Sequence, residues 1–284
     1  MKRHRQSNSR PPSQGIHKTA AWGLLGFGVL LMLDSSTTQM TGRPLWAQWL
    51  VLLVAILLMG FGVWFYAKVV MVRWAGRQPT ELTAHGFLVS LLGGLGIGFG
   101  LLALSAFILT ILGFYRVDGF RPFGVSQILT LGVLACASVF EELIMRGVAL
   151  HALDRWLGWV PALTLTSLLF GFMHALNPGA TLFSCLAIAI EAGLMLGSIM
   201  VSRHNLWICI GFHIGWNLTE ALLGIPVSGQ DIRGFMVMKV QGPTLLTGGS
   251  FGIEASLIPV ILGLLVSAIF LLRRGRDTMI GSRT

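Results

Sequence analysis

The sequence predicts an all-α polytopic membrane protein with about eight transmembrane helices. Only 11% of its 284 residues are charged and 54% are hydrophobic, whereas a soluble domain carries about 25% charged residues. Long apolar segments recur along the chain, and most approach the ~20 residues that a helix needs to cross a bilayer. The 36 glycines fit this class, because helices in lipid pack closely through small residues.

Eight apolar segments are candidate spans. Asp34 interrupts the first one, and the fifth is short and closes at Asn177-Pro178, a turn signal. Residues 148–160, between the fourth and fifth segments, mix apolar and charged side chains, as in a helix that lies in the membrane interface. A simple connecting loop is the alternative for this stretch. The predicted spans are 20–39, 45–72, 86–112, 126–147, 160–176, 180–201, 205–224 and 256–272.

The distribution of positive charge predicts that both termini are cytosolic. With the polar, basic residues 1–18 on the inner side, fifteen Lys and Arg residues fall inside and five fall outside, which agrees with the positive-inside rule. No small-residue cleavage site follows the first apolar segment, so we expect an uncleaved tail. The net charge of +9 therefore indicates orientation and contact with the lipid bilayer rather than a nucleic-acid partner.

Glycines at a spacing of four predict close contacts between helices. Small residues one turn apart allow two helix backbones to approach each other. The four pairs are Gly94 with Gly98, Gly96 with Gly100, Gly193 with Gly197, and Gly211 with Gly215.

The fourth segment ends in a charged cluster, Glu141-Glu142-Leu143-Ile144-Met145-Arg146. Ionisable groups within a membrane helix are costly and usually have a function. Glu142 precedes Arg146 by four residues, the acid-then-base order that favours a pair on one helix face. Glu141 lies about 100° around the helix and can face a different neighbour. In this arrangement Arg146 holds Glu142 in an ion pair, and Glu141 can serve as the one catalytic carboxylate. The alternative is a purely structural clamp or a pair of interface anchors.

Two later segments each carry a histidine one turn from a second polar or aromatic residue. Phe170 shares a face with His174 on the fifth helix, and His213 shares a face with Asn217 on the seventh. A carboxylate with an imidazole can activate water for attack on a carbonyl, and an imidazole with an amide can donate hydrogen bonds to the resulting oxyanion. A single buried His or Asn often only bonds to a neighbouring helix. Further candidates, for supporting roles, are Glu191 and Glu220.

The depths of these residues do not agree at first sight. At ~1.5 Å per residue, Glu141 lies ~9 Å from the inner end of its segment at Gly147. His174 lies ~20 Å from the inner end of its own segment at Pro161. The two meet only if the fifth helix is tilted or begins closer to the cytosol, in front of a cavity open to that side.

Signatures of other hydrolases are missing from the sequence. There is no His-Glu-x-x-His zinc motif and no pair of intramembrane aspartates. Pro226-Val227-Ser228-Gly229 matches a serine-protease Gly-x-Ser-Gly only in part, because proline replaces the first glycine. The three cysteines lie in apolar segments and are small core residues rather than a disulfide framework or a metal cluster.

The ordered set Glu141-Glu142-xxx-Arg146, Phe170-xxx-His174 and His213-xxx-Asn217 resembles the CAAX protease and bacteriocin-processing (CPBP) family. Its members are also called Abi proteins or type II CAAX prenyl endopeptidases. The resemblance covers roughly Ser126 to Leu223, and the order of the three motifs on successive helices makes it specific. The resemblance implies that Glu141 and His174 activate the attacking water. It implies that His213 and Asn217 stabilise the oxyanion. Supporting roles fall to Glu142, Arg146 and Phe170.

The resemblance leaves the cofactor open between zinc and none. The family is described both as metal-dependent and as glutamate-dependent. A catalytic zinc normally has three protein ligands, and Glu141, His174 and His213 are candidates for them. The metal-free glutamate mechanism is slightly favoured.

The resulting prediction is a membrane-embedded endopeptidase that cuts near the cytosolic face of a bacterial inner membrane. Its substrate would be a peptide or a membrane protein, either prenylated or not. A non-catalytic scaffold, an immunity factor or a small transporter is the alternative, although the lack of an internal repeat weakens the transporter. The predicted parts are a basic cytosolic tail at 1–18, N-terminal helices at 19–125, a catalytic helical core at 126–223, and an outer loop, last helix and basic tail at 224–284.

Overall fold

A computed structural model describes residues 42–281 of the chain, with side chains as far as residue 274. The predicted cytosolic tail at 1–18 and the first predicted span at 20–39 lie outside these residues. The orientation of the termini therefore remains a prediction.

Seven helices in the described part are long and apolar enough to cross a membrane. They confirm the polytopic helical class and the seven predicted spans from residue 45 onward. Their bounds are Leu45–Trp74 (α1), Phe87–Ile111 (α2), Val125–Leu157 (α3), Trp159–Leu176 (α4), Leu182–Arg203 (α5), Leu206–Leu223 (α6) and Leu257–Gly281 (α7).

Helix α3 continues ten residues beyond its predicted end at residue 147. Its regular α-helical part continues through a π-helical stretch, Leu143–Ala149, into another α-helical part that ends at Leu157. The chain turns at Gly158, whose φ of +86° favours glycine, and α4 begins at the next residue. A connecting loop at 148–160 is therefore wrong, because residues up to Leu157 continue the helix and α4 begins at Trp159. That the end of this helix lies in the membrane interface stays a prediction.

This longer helix removes the mismatch in depth. Glu141 lies seventeen residues before Gly158 and His174 lies sixteen after it. At ~1.5 Å per residue, both residues are therefore about 25 Å from the turn that joins α3 to α4. No unusual tilt of α4 is needed to bring them to one level.

Helices α2 and α6 pack with their backbones in contact. Gly96 and Gly100 face open space, so the predicted contact at this pair is wrong, whereas Gly193 and Gly197 pack against α4 as predicted. At the other two pairs an added Cβ atom would overlap main-chain atoms of the facing helix, and these four glycines are Gly94, Gly98, Gly211 and Gly215. Close packing of small residues thus fixes α6, the helix that carries His213.

Two strands outside the spans form a short antiparallel ribbon. Strand β1 (Tyr115–Phe120) follows α2, and strand β2 (Met236–Val240) lies in the long segment between α6 and α7. The long segment also buries Phe251 and Ile253 against the helices. It is therefore a folded cover over one end of the bundle rather than an extended loop.

Candidate active site

The site is built around a buried ion pair on α3. Glu142 and Arg146 are 0% and 3% exposed, and the Arg146 Nη1 to Glu142 Oε1 distance is 2.7 Å. Arg146 Nη2 also donates to the carbonyl oxygens of Ala192 (2.9 Å) and Gly193 (3.4 Å) on α5. The guanidinium lies 4.5 Å from the centre of the Phe170 ring on α4. One arginine therefore connects three helices.

Two π-helical stretches meet at this contact. Arg146 belongs to Leu143–Ala149, and the carbonyl groups that it reaches belong to Ala189–Leu194. A π-helical turn widens the helix and disturbs the usual hydrogen-bond ladder, and such turns are frequent at functional sites. The wider turn makes main-chain carbonyls of α5 accessible to the guanidinium.

Glu142 also orients His213 across the interface between α3 and α6. His213 Nδ1 lies 2.9 Å from Glu142 Oε1. A carboxylate paired with arginine can only accept, so Nδ1 carries the hydrogen. The opposite ring nitrogen, Nε2, lies 3.7 Å from Glu141 Oε2. Two adjacent glutamates of α3 therefore flank one imidazole, one at each nitrogen.

His174 lies at the end of α4, in the 3₁₀ turn His174–Leu176. Its Nδ1 is 2.8 Å from the main-chain oxygen of Phe170. Since a carbonyl oxygen can only accept, this bond places the hydrogen on Nδ1 and leaves Nε2 as an acceptor. The Phe170 ring packs between the two imidazoles, 5.2 Å from His174 and 6.0 Å from His213 between ring centres.

Asn217 lies one turn after His213 but has a different environment. Its Nδ2 donates to Ser138 Oγ at 3.2 Å, and that hydroxyl donates to the Leu134 main-chain oxygen at 3.0 Å. Ser138 was not among the predicted site residues. Its position one turn before Glu141 and Glu142 on the same helix is the signal that points to it.

A small cavity lies beside the two histidines. Helices α4, α5 and α6 form its walls, and the segment between α6 and α7 covers it. Glu141 and Asn217 are not among the lining residues. The polar and aromatic side chains that line it are Phe170, His174, Glu191, Phe212, His213, Trp216, Ser228 and Glu254.

Glu254 comes from the covering segment and was not predicted. Its Oε2 accepts hydrogen bonds from Ser228 N (2.7 Å) and Ser228 Oγ (2.8 Å). Asn177, just after α4, donates to the Ser228 main-chain oxygen at 2.8 Å. Burial raises the pKa of Glu254, although the bonds from Ser228 oppose this. A segment rich in turn residues carries no periodic signal, which is why this carboxyl was missed.

The two glutamates predicted to have supporting roles occupy different positions. Glu191 and Glu220 are both 0% exposed. Glu191 on α5 lines the cavity, whereas Glu220 on α6 does not.

The candidate metal ligands do not come together as a metal site. No group of three His, Cys, Asp or Glu side chains within residues 42–274 has the geometry to hold a metal ion. Nδ1 of each histidine is bonded, in His213 to Glu142 and in His174 to the Phe170 carbonyl, which leaves Nε2 as the nitrogen that would face an ion. A zinc ion held by Glu141, His174 and His213 would still need three converging ligands, and the positions of these side chains do not provide them.

The site thus gathers carboxyl and imidazole groups from several of the helices that are long and apolar enough to cross a membrane. Residues 123–219, about a third of the chain, match the family model described as Type II CAAX prenyl endopeptidase Rce1-like. The resemblance predicted from the motifs is therefore confirmed over this segment. The matched segment contains all three motifs. Neither a curated protein nor a solved structure matches the chain.

Proposed function

We propose that the chain is an intramembrane endopeptidase of a bacterial inner membrane that hydrolyses peptide bonds by general-base attack of water. The observation that carries this proposal is the juxtaposition of Glu141 Oε2 and His213 Nε2, 3.7 Å apart across α3 and α6. Protein side chains and water suffice for the chemistry described below.

Glu141 and His174 would activate the attacking water. The Glu141 side chain is 19% exposed, whereas Glu142 beside it is 0% exposed and held in its ion pair. His174 offers Nε2 as an acceptor because Nδ1 is bonded to Phe170. A positioned base of this kind contributes about 10²- to 10⁴-fold to a hydrolysis rate.

His213 and Asn217 would stabilise the oxyanion. Nδ1 of His213 donates to Glu142, so a hydrogen on Nε2 makes the ring a cationic donor between two carboxylates. Asn217 uses one amide hydrogen on Ser138 and has a second one to donate. Loss of one such donor typically costs about 10²- to 10³-fold in rate.

A polar cluster supports cleavage near the cytosolic face. Glu141 lies six residues before Gly147, whose carbonyl oxygen is 3.4 Å from the hydroxyl of Tyr66. Tyr66 also bonds to Glu81, which is paired with Arg77 at 2.7 Å. These charged groups follow the end of α1, on the side that the positive-inside rule assigns to the cytosol. Glu141 is ~9 Å from this level by the helical rise.

The test is cleavage of a peptide library by detergent-purified protein, with products identified by mass spectrometry. We expect Glu141→Ala and His174→Ala to abolish cleavage. His85→Ala, which removes an exposed histidine outside the site, should cleave like the parent protein. Activity that survives a chelator would support the metal-free mechanism.

Two results would overturn this mechanism. Unchanged cleavage by Glu141→Ala would remove the proposed base. Loss of cleavage with chelator, restored by zinc, would assign Glu141, His174 and His213 to a metal instead. Comparing the cleavage of library peptides with and without a prenylated cysteine identifies the substrate class.

A further inference from the structure

The cavity beside the histidines contains two carboxyl groups for which the proposed mechanism has no use. Glu191 reaches it from α5 and Glu254 from the covering segment, and His174 and His213 line the same space. Two carboxyl groups that share a buried space resist double ionisation, because like charges repel strongly there. When their surroundings differ, one group carries the proton and the other does not.

The surroundings of these two groups differ clearly. Glu254 accepts two hydrogen bonds from Ser228, which favour an ionised acceptor. Glu191 is 0% exposed, and within the described residues neither of its carboxyl oxygens has a hydrogen-bond partner. A carboxyl group is least costly to bury without donors when it is neutral, and a neutral carboxyl has an O–H to donate.

Among the described residues, no charged side chain forms a hydrogen bond with the Glu191 carboxyl group. Arg146 is the cation that acts on it, but that guanidinium is bonded to Glu142 and to the carbonyls beside Glu191. The titratable groups around it are Arg146 on α3, His174 on α4, His213 and Glu220 on α6, and Glu254 on the cover.

The backbone that carries Glu191 is held firmly by α7. A Cβ atom added at Gly263 would lie 2.8 Å from the Glu191 Cα, so the two helices are in close contact at this residue. Glu191 also belongs to the π-helical stretch Ala189–Leu194. The backbone of this cavity-lining residue is therefore fixed in position.

We infer that Glu191 is a catalytic residue that donates the proton to the leaving nitrogen, an inference that rests on the proposed endopeptidase activity. Water attacks the carbonyl carbon while Glu141 takes one proton from the water. The O–H of Glu191 then passes its proton to the amide nitrogen as the C–N bond breaks and its electron pair moves to nitrogen. Glu141 finally returns its proton to Glu191 through water, so that one water and one peptide bond give an acid and an amine.

A change of leaving group tests this role. The probe is one peptide cleaved by the parent protein, compared with the same peptide carrying a thioester in place of the scissile amide. A thiolate leaves without a proton because the pKa of its thiol is about 8.5, whereas an amine must be protonated as it leaves. We expect Glu191→Gln to lower kcat on the amide by about 10²- to 10⁴-fold and on the thioester by less than about tenfold.

Glu220→Gln is the matched control. Glu220 is equally buried and also lacks hydrogen-bond partners in the described part of the chain, but it does not line the cavity. Any effect of this change should be the same on both substrates. Glu191→Asp, which keeps an O–H, should recover part of the amide activity.

The outcomes separate this inference from the proposed function. Thioester hydrolysis by the Glu191→Gln preparation shows that the variant is folded, and a selective loss on the amide supports the inference. Equal losses on both substrates, or none, overturn it, while inactive Glu141→Ala leaves the endopeptidase in place. A parent protein that cleaves neither substrate overturns both.

Discussion

Glu142 and Glu191 are both completely buried, yet they have opposite surroundings. Glu142 Oε1 is bonded to Arg146 and to His213. Neither oxygen of Glu191 has a partner among the residues that the structure describes, although Arg146 binds the main chain immediately after it. Burial alone therefore does not reveal the role of a membrane glutamate. The partners show that Glu142 connects helices, whereas Glu191 has the unpartnered carboxyl group that the inferred proton donor requires.

The largest effect should come from neutralising these two glutamates in turn. Glu142→Gln leaves Arg146 as a buried, unpaired charge and should lower the free energy of unfolding by about 3–5 kcal/mol. Glu191→Gln removes no hydrogen bond or ion pair and should change it by less than about 1 kcal/mol. Thermal unfolding of both variants in the same detergent measures the difference.

A double variant checks the cause of that loss. Glu142→Leu with Arg146→Met removes both charges together and should be more stable than Glu142→Leu alone, because no unpaired charge remains. Similar destabilisation by Glu142→Gln and Glu191→Gln would contradict the assignment of a stabilising ion pair to Glu142 alone.

The position of His213 depends on a close contact between α2 and α6. Gly211 lies two residues before His213, and its α-carbon faces the backbone of α2 at Leu91. Gly211→Val should separate α2 from α6 and cost about 1–3 kcal/mol of stability. Gly100→Val is the control, because it makes the same substitution in α2 at a glycine with open space beside it. The unfolding temperatures should differ, and equal values would argue against backbone contact between these helices.

The smallest effect concerns a third buried glutamate, outside the spans. Burial alone would raise the pKa of Glu81, but hydrogen bonds from Arg77 and Tyr66 outweigh burial and hold it below its usual value. A carboxyl with a lowered folded pKa stabilises the protein above its unfolded pKa of about 4.3, and this contribution is lost as the pH falls through the folded pKa. The parent protein should therefore lose stability below about pH 4 more steeply than Glu81→Gln. Parallel acid dependence of the two unfolding temperatures would contradict this assignment.

The membrane helices were largely predictable because apolar length is a strong signal. Seven spans followed from apolar length, since each helix satisfies its own backbone hydrogen bonds whatever its neighbours are. The motif residues were then recognisable as the polar residues within these spans. The extension of α3 to Leu157 was not predictable in this way. Charged residues such as Asp154 and Arg155 indicate the end of an apolar segment, whereas the helix continues until Gly158 permits the turn.

The contacts within the site were less predictable. The spacing placed Glu142 beside Arg146, but the bond from His213 to Glu142 depends on how α3 and α6 are rotated toward each other. Ser138 and Glu254 were missed for a similar reason. One is a common small residue in a helix, and the other lies in a segment without periodicity, so tertiary packing alone brings them to the site.

The turn at Gly158 requires the two arms of the α3–α4 hairpin to have nearly equal lengths between the turn and the site. Glu141 and His174 are seventeen and sixteen residues from it, and each inserted residue moves everything beyond it by ~1.5 Å and ~100°. A single insertion in one arm would turn one of these side chains away from the other, whereas equal insertions in both arms would keep their levels matched. Length changes in relatives should therefore occur in pairs on the two arms, or be confined to the residues next to the turn.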